Sequence, residues 1–281
     1  MIIPDLHAAP GSQNADSHSG TSSHKPQFLK PKNMEHTIQI LSVLLRSISS
    51  FPNVVGIELL NEPQPGDKEH TTLKDWYTHA IGELRIIDPG IPIYISDCWQ
   101  TDDYAGYIAS LGQSQSIVAL DHHLYRCFTA SDTHTPISEH TRSLTDANAG
   151  TPQTFARVSS NLSACSSGIV VGEWSGAVNP GSLHGLSSEQ ETQARKNYIN
   201  AQLELYERYC AGWFFWTYKK EHSGDRGWSL RDAVGSEVFP QSVGARARTR
   251  CSGDDEEVKR RRHAAMDKAL GKLKFPVIVP Y

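Results

Sequence analysis

The chain has 281 residues, 38% of them hydrophobic and 21% charged, with a net charge of −4 at neutral pH. That length allows one large α/β domain with a substantial core. The mild negative balance gives no electrostatic reason to expect nucleic acid or an anionic membrane as partner, and no apolar run approaches the ~20 residues of a membrane span.

Taken in chain order, Ile2-Ile3 leads into Asp5-Leu6-His7 and reads as a strand already ending by Leu6, with Pro4 a poor fit to a central strand. Met34 to Ser50 reads as an amphipathic helix, Val54 to Leu60 as a strand, and Thr71 to Asp88 as a second helix. Strand-like runs follow at Ile91 to Ser96, Ile117 to Leu120 and Ile169 to Gly172. Between the last two, His134 to Thr151 is rich in Thr, Ser, Asp, Asn and Gly and reads as a long polar loop. Glu189 to Cys210 has apolar residues near helical spacing (Ala194, Tyr198, Ala201, Leu205), and Gly212 to Trp216 is the last strand. Gly224 to Phe239, which holds Trp228, reads as a rim loop. Residues 245–281 read as a charged C-terminal tail with an exposed helix across Asp255 to Leu273, outside a catalytic domain of residues 1–244.

Strands alternating with helices, and strands apolar along their whole length, argue for a parallel sheet buried on both faces. No Gly-rich nucleotide loop follows any strand, which favours a (β/α)8 barrel over a doubly wound sheet. Six strands are found where a closed barrel has eight. The deficit lies at the front, so the expected fold is an α/β barrel lacking about its first two βα units, with open edges at Ile2 to Leu6 and Gly212 to Trp216. The five cysteines are widely spaced with no CxxC pair, and no basic-then-apolar leader opens the chain, which predicts reduced thiols in the cytosol. A monomer without cofactor is expected. The chain has thirteen histidines but no HExxH, and His122 and His123 are adjacent rather than on one helix face, so no metal is expected.

Two segments carry the chemistry. Gly56-Ile57-Glu58-Leu59-Leu60-Asn61-Glu62-Pro63 and Gly168-Ile169-Val170-Val171-Gly172-Glu173-Trp174 each run from apolar β-formers to a glutamate at the strand exit. A carboxylate there is costly to desolvate and adds little packing, so it needs a chemical reason. Two of them suggest the paired carboxylates of a retaining glycosidase, roughly 5–5.5 Å apart. Both fall at C-terminal strand ends, where α/β barrels gather catalytic groups.

His7 within Asp5-Leu6-His7-Ala8-Ala9-Pro10-Gly11-Ser12-Gln13-Asn14, Asn61-Glu62-Pro63, His123-Leu124-Tyr125, Gly172-Glu173-Trp174 and Trp216 occur in an order that resembles glycoside hydrolase family 5. Within it, that first segment, Asp121 to Phe128 and Gly227 to Val234 resemble the fungal exo-β-1,3-glucanases, with His18 to Ser23 leaning towards their intracellular members. The resemblance covers about Ile2 to Pro240. It implies Glu62 as general acid and base, with a raised pKa, and Glu173 as nucleophile. It further implies Asn61 on the sugar 2-hydroxyl, Tyr125 donating to the nucleophile, and His123 and His7 ordering carboxylates and hydroxyls. Trp216 would form the floor under the sugar ring. Trp99, Phe128, Trp174 and Trp228 are further candidates for sugar subsites, whereas His122 and Trp213 read as packing residues. The family's arginine near the second strand, which contacts the nucleophile, and its Gly-Gly-Trp-type opening are not found before His7. The substrate implied is a β-glucan or β-glucoside, cleaved from the chain end. A sterol or lipid glucoside, or carbohydrate binding without turnover, remain the alternatives.

Overall fold

Apolar runs without an in–out alternation pair as parallel strands sheltered by helices. In the computed structural model, which describes residues 1–21, 23–112 and 116–240, five such strands lie side by side in chain order. They are β1 (Ile57–Glu58), β2 (Ile93–Ser96), β3 (Val118–Leu124), β4 (Ile169–Trp174) and β5 (Gly212–Phe215), every pair parallel. The N-terminal segment adds a sixth member through parallel bridges Ile2↔Val54 and Asp5↔Glu58. Regular strand in β1 is short, yet its backbone is paired on both sides. Val55 and Glu58 N–H donate to Ile2 and Pro4 carbonyls, while Ile57 and Leu59 donate to Pro92 and Tyr94. Among the described residues no pairing joins β5 to the N-terminal segment, so the sheet is an open arc of a (β/α) barrel.

Helices α1 (Pro31–Ile48), α2 (His70–Ile87), α3 (Thr101–Ser110), α4 (Ile137–Thr145), α5 (Gly150–Ala164) and α6 (Ser188–Tyr209) fall between the strands, and α7 (Leu230–Gly235) follows β5. Pro31 opens α1 at a position where its missing N–H costs nothing. Ser187 and Gln190 close a capping box on α6. Ile57, Ile93, Ile95, Leu120, Ile169 and Val171 from the strands and Leu41, Leu45, Leu73 and Leu84 from the helices form a fully buried core. No helix among the described residues is long and apolar enough to cross a membrane.

Two segments differ from expectation. His134 to Thr151 is not a loop throughout: it holds α4 and the start of α5, with Ile137, His140 and Leu144 buried at helical spacing. Three inward residues among many polar ones suffice for a helix and are easily lost in composition. Gly224 to Phe239 likewise holds α7, whose N-cap Ser229 accepts from Asp232 N–H. The expected helix across Asp255 to Leu273 and the tail 245–281 lie outside the described residues.

Leu120→Ala, at a fully buried position in the centre of the sheet, is expected to lower the unfolding free energy by about 2–5 kcal/mol. Val43→Ala, on an exposed face of α1, should cost less than about 0.5 kcal/mol, both read by urea denaturation.

Candidate active site

Strand alternation decides which of two adjacent histidines matters. In β3, Asp121 and His123 point to one face and His122 to the other. His122 meets Asp97 at 2.6 Å and the edge of Phe155, a buried pair on the opposite face of β3 from His123. His123 is 5% exposed and stands between carboxylates. Its Nδ1 lies 2.6 Å from Glu62 and 3.6 Å from Glu173, and its Nε2 lies 3.0 Å from Asp121.

Glu173 reaches this place by a bulge. Val171 pairs with His122 and Glu173 with His123, leaving Gly172 as the extra residue. The Gly172 N–H donates to Asp121 at 2.7 Å, and a Cβ at Gly172 would lie 2.3 Å from an Asp121 oxygen. Only glycine lets the Asp121 carboxylate approach the β4 backbone so closely. The Tyr125 hydroxyl, just beyond β3, donates to Glu173 at 2.7 Å.

Glu62 lies past β1 with φ of 44°, a left-handed backbone uncommon outside glycine. The N-terminal segment holds it there. Gln13 donates to the Asn61 carbonyl at 2.8 Å, and Asn14 donates to the Glu62 carbonyl at 2.9 Å. His18 adds a contact to the second Glu62 oxygen at 3.3 Å. Asn61 is buried, and its amide nitrogen has no partner. A cavity of about 180 Å³ opens against Asn61, His123, Glu173 and Trp216, and descends to Glu58 and Asp121. Glu62 is not among the residues that line it. His7 hydrogen-bonds Asp5 at 2.8 Å and stacks parallel on the half-exposed Trp216 at 5.7 Å.

Glu62, Glu173, His123, Tyr125, Asn61, His7 and Trp216 thus lie around one strand-end opening. Phe128 and Trp228 pack on Tyr125 at its rim, Phe128 largely exposed. Trp99 is half exposed and donates to the His123 carbonyl at 3.2 Å. Trp174 is wholly buried against Trp213, Phe215 and Tyr206, so it is core and lines no subsite. The sequence reading missed Glu58, Asp121, Gln13, Asn14 and His18. For Glu58 the signal was present, because it too is a carboxylate inside an apolar run.

The electrostatics correct one expectation. Burial raises the Glu62 carboxyl, but hydrogen bonding and charge from His123, with His18 and His7, overcome it and leave it below its ordinary value. Burial raises Glu173, and the neighbouring Glu62 charge adds to this against the opposing His123, Tyr125 and His7. The proton therefore favours Glu173 over Glu62 in the free protein, the reverse of the raised acid expected. His123 is pushed down by burial but held well above its ordinary value by Asp121, Glu62 and Glu173, so it is the imidazolium and donates from both nitrogens. Among the described residues, no arginine is one of the groups acting most strongly on Glu173.

Glu58–Asp121–His123 and Glu62–His123–Glu173 each bring possible metal donors within 4.8 Å. Both groups share His123, whose nitrogens here face the Glu62 and Asp121 oxygens at 2.6 and 3.0 Å. Cys98, Cys127, Cys165 and Cys210 are free thiols, and none adjoins these groups.

The family model for cellulase, glycosyl hydrolase family 5, matches residues 2–222. A protein of Schizosaccharomyces pombe named glucan 1,3-beta-glucosidase 3 is 32% identical over 239 residues, 85% of this chain and 47% of that protein. A probable glucan 1,3-beta-glucosidase A of Aspergillus niger is 28% identical over 277 residues, 86% of this chain and 61% of that protein. The chain therefore spans about half to three-fifths of the length of these relatives. A solved structure of a hyperthermophilic endo-β-1,4-glucanase with substrate superposes with a TM-score of 0.50 at 14% identity, over 73% of this chain and 66% of that one, which shows a shared fold.

Tyr125→Phe removes the donor that stabilises the Glu173 carboxylate, so the Glu173 titration should move further up. A hydrogen bond to a charged group, at ~1.5–3 kcal/mol, corresponds to a shift of about one unit or more. Carbon-13 NMR of the glutamate carboxyls measures it; an unchanged midpoint would show that the 2.7 Å contact carries no electrostatic weight.

Proposed function

The chain belongs to glycosyl hydrolase family 5, and on that premise we propose that it cleaves β-glucosidic bonds with retention of anomeric configuration. The observation that carries this reading is the placement of Glu62 and Glu173 oxygens within 4.8 Å of one another across His123. That spacing fits the roughly 5–5.5 Å carboxyl separation of retaining enzymes better than the roughly 6.5–9.5 Å of inverting ones, and suits direct attack by one of them. Glu173 is the nucleophile: it ends β4, faces the cavity and receives the Tyr125 hydroxyl. Glu62 is the acid that protonates the leaving oxygen and then the base that activates water.

The free-protein proton order must reverse for this chemistry, and a bound glucoside supplies both pushes. Sugar over Glu62 displaces the water that favours its charged form, and positive charge developing at the anomeric carbon stabilises the Glu173 carboxylate. The unpartnered Asn61 amide is placed to donate to a sugar hydroxyl. His7, braced by Asp5, and Trp216 offer the ring a polar edge and an aromatic face. The relatives named glucan 1,3-beta-glucosidase support a β-1,3-glucan as the proposed substrate, with cleavage from the chain end, and the catalytic unit is taken as residues 1–244. A second reading, glucan binding without turnover, is favoured by one observation: burial and the Glu62 charge hold the Glu173 carboxyl above its ordinary value, and no arginine is among the described groups that act most strongly on it.

A proton-NMR time course with laminari-oligosaccharide separates the two. β-Glucose is expected to appear before its α anomer, with Glu173→Gln and Glu62→Gln lowering the rate at least about 10²–10⁴-fold. Oligosaccharide binding with no product from the folded chain would select the non-hydrolytic reading.

A further inference from the structure

Beneath the proposed catalytic pair lies a second carboxylate pair that the mechanism above leaves unused. Glu58 in β1 is 8% exposed and Asp121 in β3 is 1% exposed, and both line the floor of the cavity. Their oxygens lie within 4.8 Å of one another. Two buried carboxylates at that distance repel, and the one cation beside them, His123, also faces Glu62 and Glu173, so its single charge does not compensate a doubly ionised pair.

The surroundings decide which one is charged. Asp121 accepts the Gly172 N–H at 2.7 Å and His123 Nε2 at 3.0 Å, so it is solvated by donors as a carboxylate would be. Glu58 has no such donor, and its Oε1 lacks a partner. Asp5 faces Glu58 from the N-terminal segment and adds negative charge, and His123 is the one cation among the groups acting most strongly on it. Tyr94 in β2 and Tyr77 in α2 also face Glu58, and both hydroxyls are held neutral, first by burial and then by nearby groups that include this carboxyl. Burial, then the Asp121 charge, then Asp5 push the Glu58 carboxyl well up.

We propose that Glu58 and Asp121 hold one proton between them, Glu58 as a neutral acid donating its O–H to the Asp121 carboxylate, and that this singly charged pair fixes His123 as the imidazolium facing Glu62 and Glu173. Glu58 and Asp121 are then positioning residues. Asp121 orients the His123 ring and supplies the charge that keeps it protonated. The Glu58 proton limits that charge to one unit, so His123 is not driven to hold its Nδ1 proton against all demand from Glu62. The consequence for hydrolysis rests on the reading in the preceding subsection, whereas the protonation of the pair does not.

The test uses the intact chain and needs no turnover. Infrared spectroscopy should show a protonated carboxyl C=O band that persists above neutral pH, shifts on carbon-13 glutamate labelling and is lost in Glu58→Gln. Nitrogen-15 NMR should show the His123 titration moved by less than about half a unit in Glu58→Gln, because a neutral donor replaces a neutral donor. Asp121→Asn should lower it by about 1–3 units. A glutamate-labelled chain with no acid band above neutral pH overturns the proposal even if neither variant folds. So does a Glu58→Gln shift of His123 as large as that of Asp121→Asn. Absent hydrolysis with both signatures present would sink only the catalytic reading.

Discussion

The site depends on one constraint, the two hydrogen bonds of a buried imidazolium. His123 donates from one nitrogen to Glu62 and from the other to Asp121, at 2.6 and 3.0 Å. Burying such a cation is costly unless both donors find charged partners in good geometry. The fold supplies them by strand alternation in β3, which puts Asp121 and His123 on one face, and by the Gly172 bulge, which brings Glu173 opposite His123. Removing one partner leaves an unpaired buried charge, with a penalty of about 3–5 kcal/mol. The same three groups therefore serve both to hold the strands in register and to set charge at the opening.

Much of the architecture is legible in the residues because its signals are local. Unbroken apolar runs mark parallel strands, and the glutamates ending two of them mark the place where function is gathered. The order of strands in space follows their order in the chain, so no long-range information was needed to arrange them. Helix α4 escaped because its three buried residues are set among Thr, Ser and Glu, and composition over that window resembles a loop.

The parts that were not legible are relations between distant segments. Gln13 and Asn14 hold the carbonyls of Asn61 and Glu62 from 48 residues away, and no spacing rule announces that contact. The proton order on Glu62 and Glu173 escaped for the same reason. It is set by which carboxylate sits 2.6 Å from His123 and which sits 3.6 Å away, a difference fixed by the bulge and by the left-handed turn at Glu62. Glu58 could have been flagged by the argument used for Glu62, but its partner Asp121 emerges only when β1, β2 and β3 are laid side by side.

The proposed chemistry is attack of Glu173 on an anomeric carbon opposite Glu62. Its most direct measurement is intact-chain mass spectrometry after incubation with a 2-deoxy-2-fluoro-β-glucoside bearing a good leaving group, followed by peptide mapping. One fluoroglucosyl group is expected on the peptide containing Glu173, and none in Glu173→Gln. A label on Glu62 or elsewhere, or a folded chain that takes no label, would contradict it.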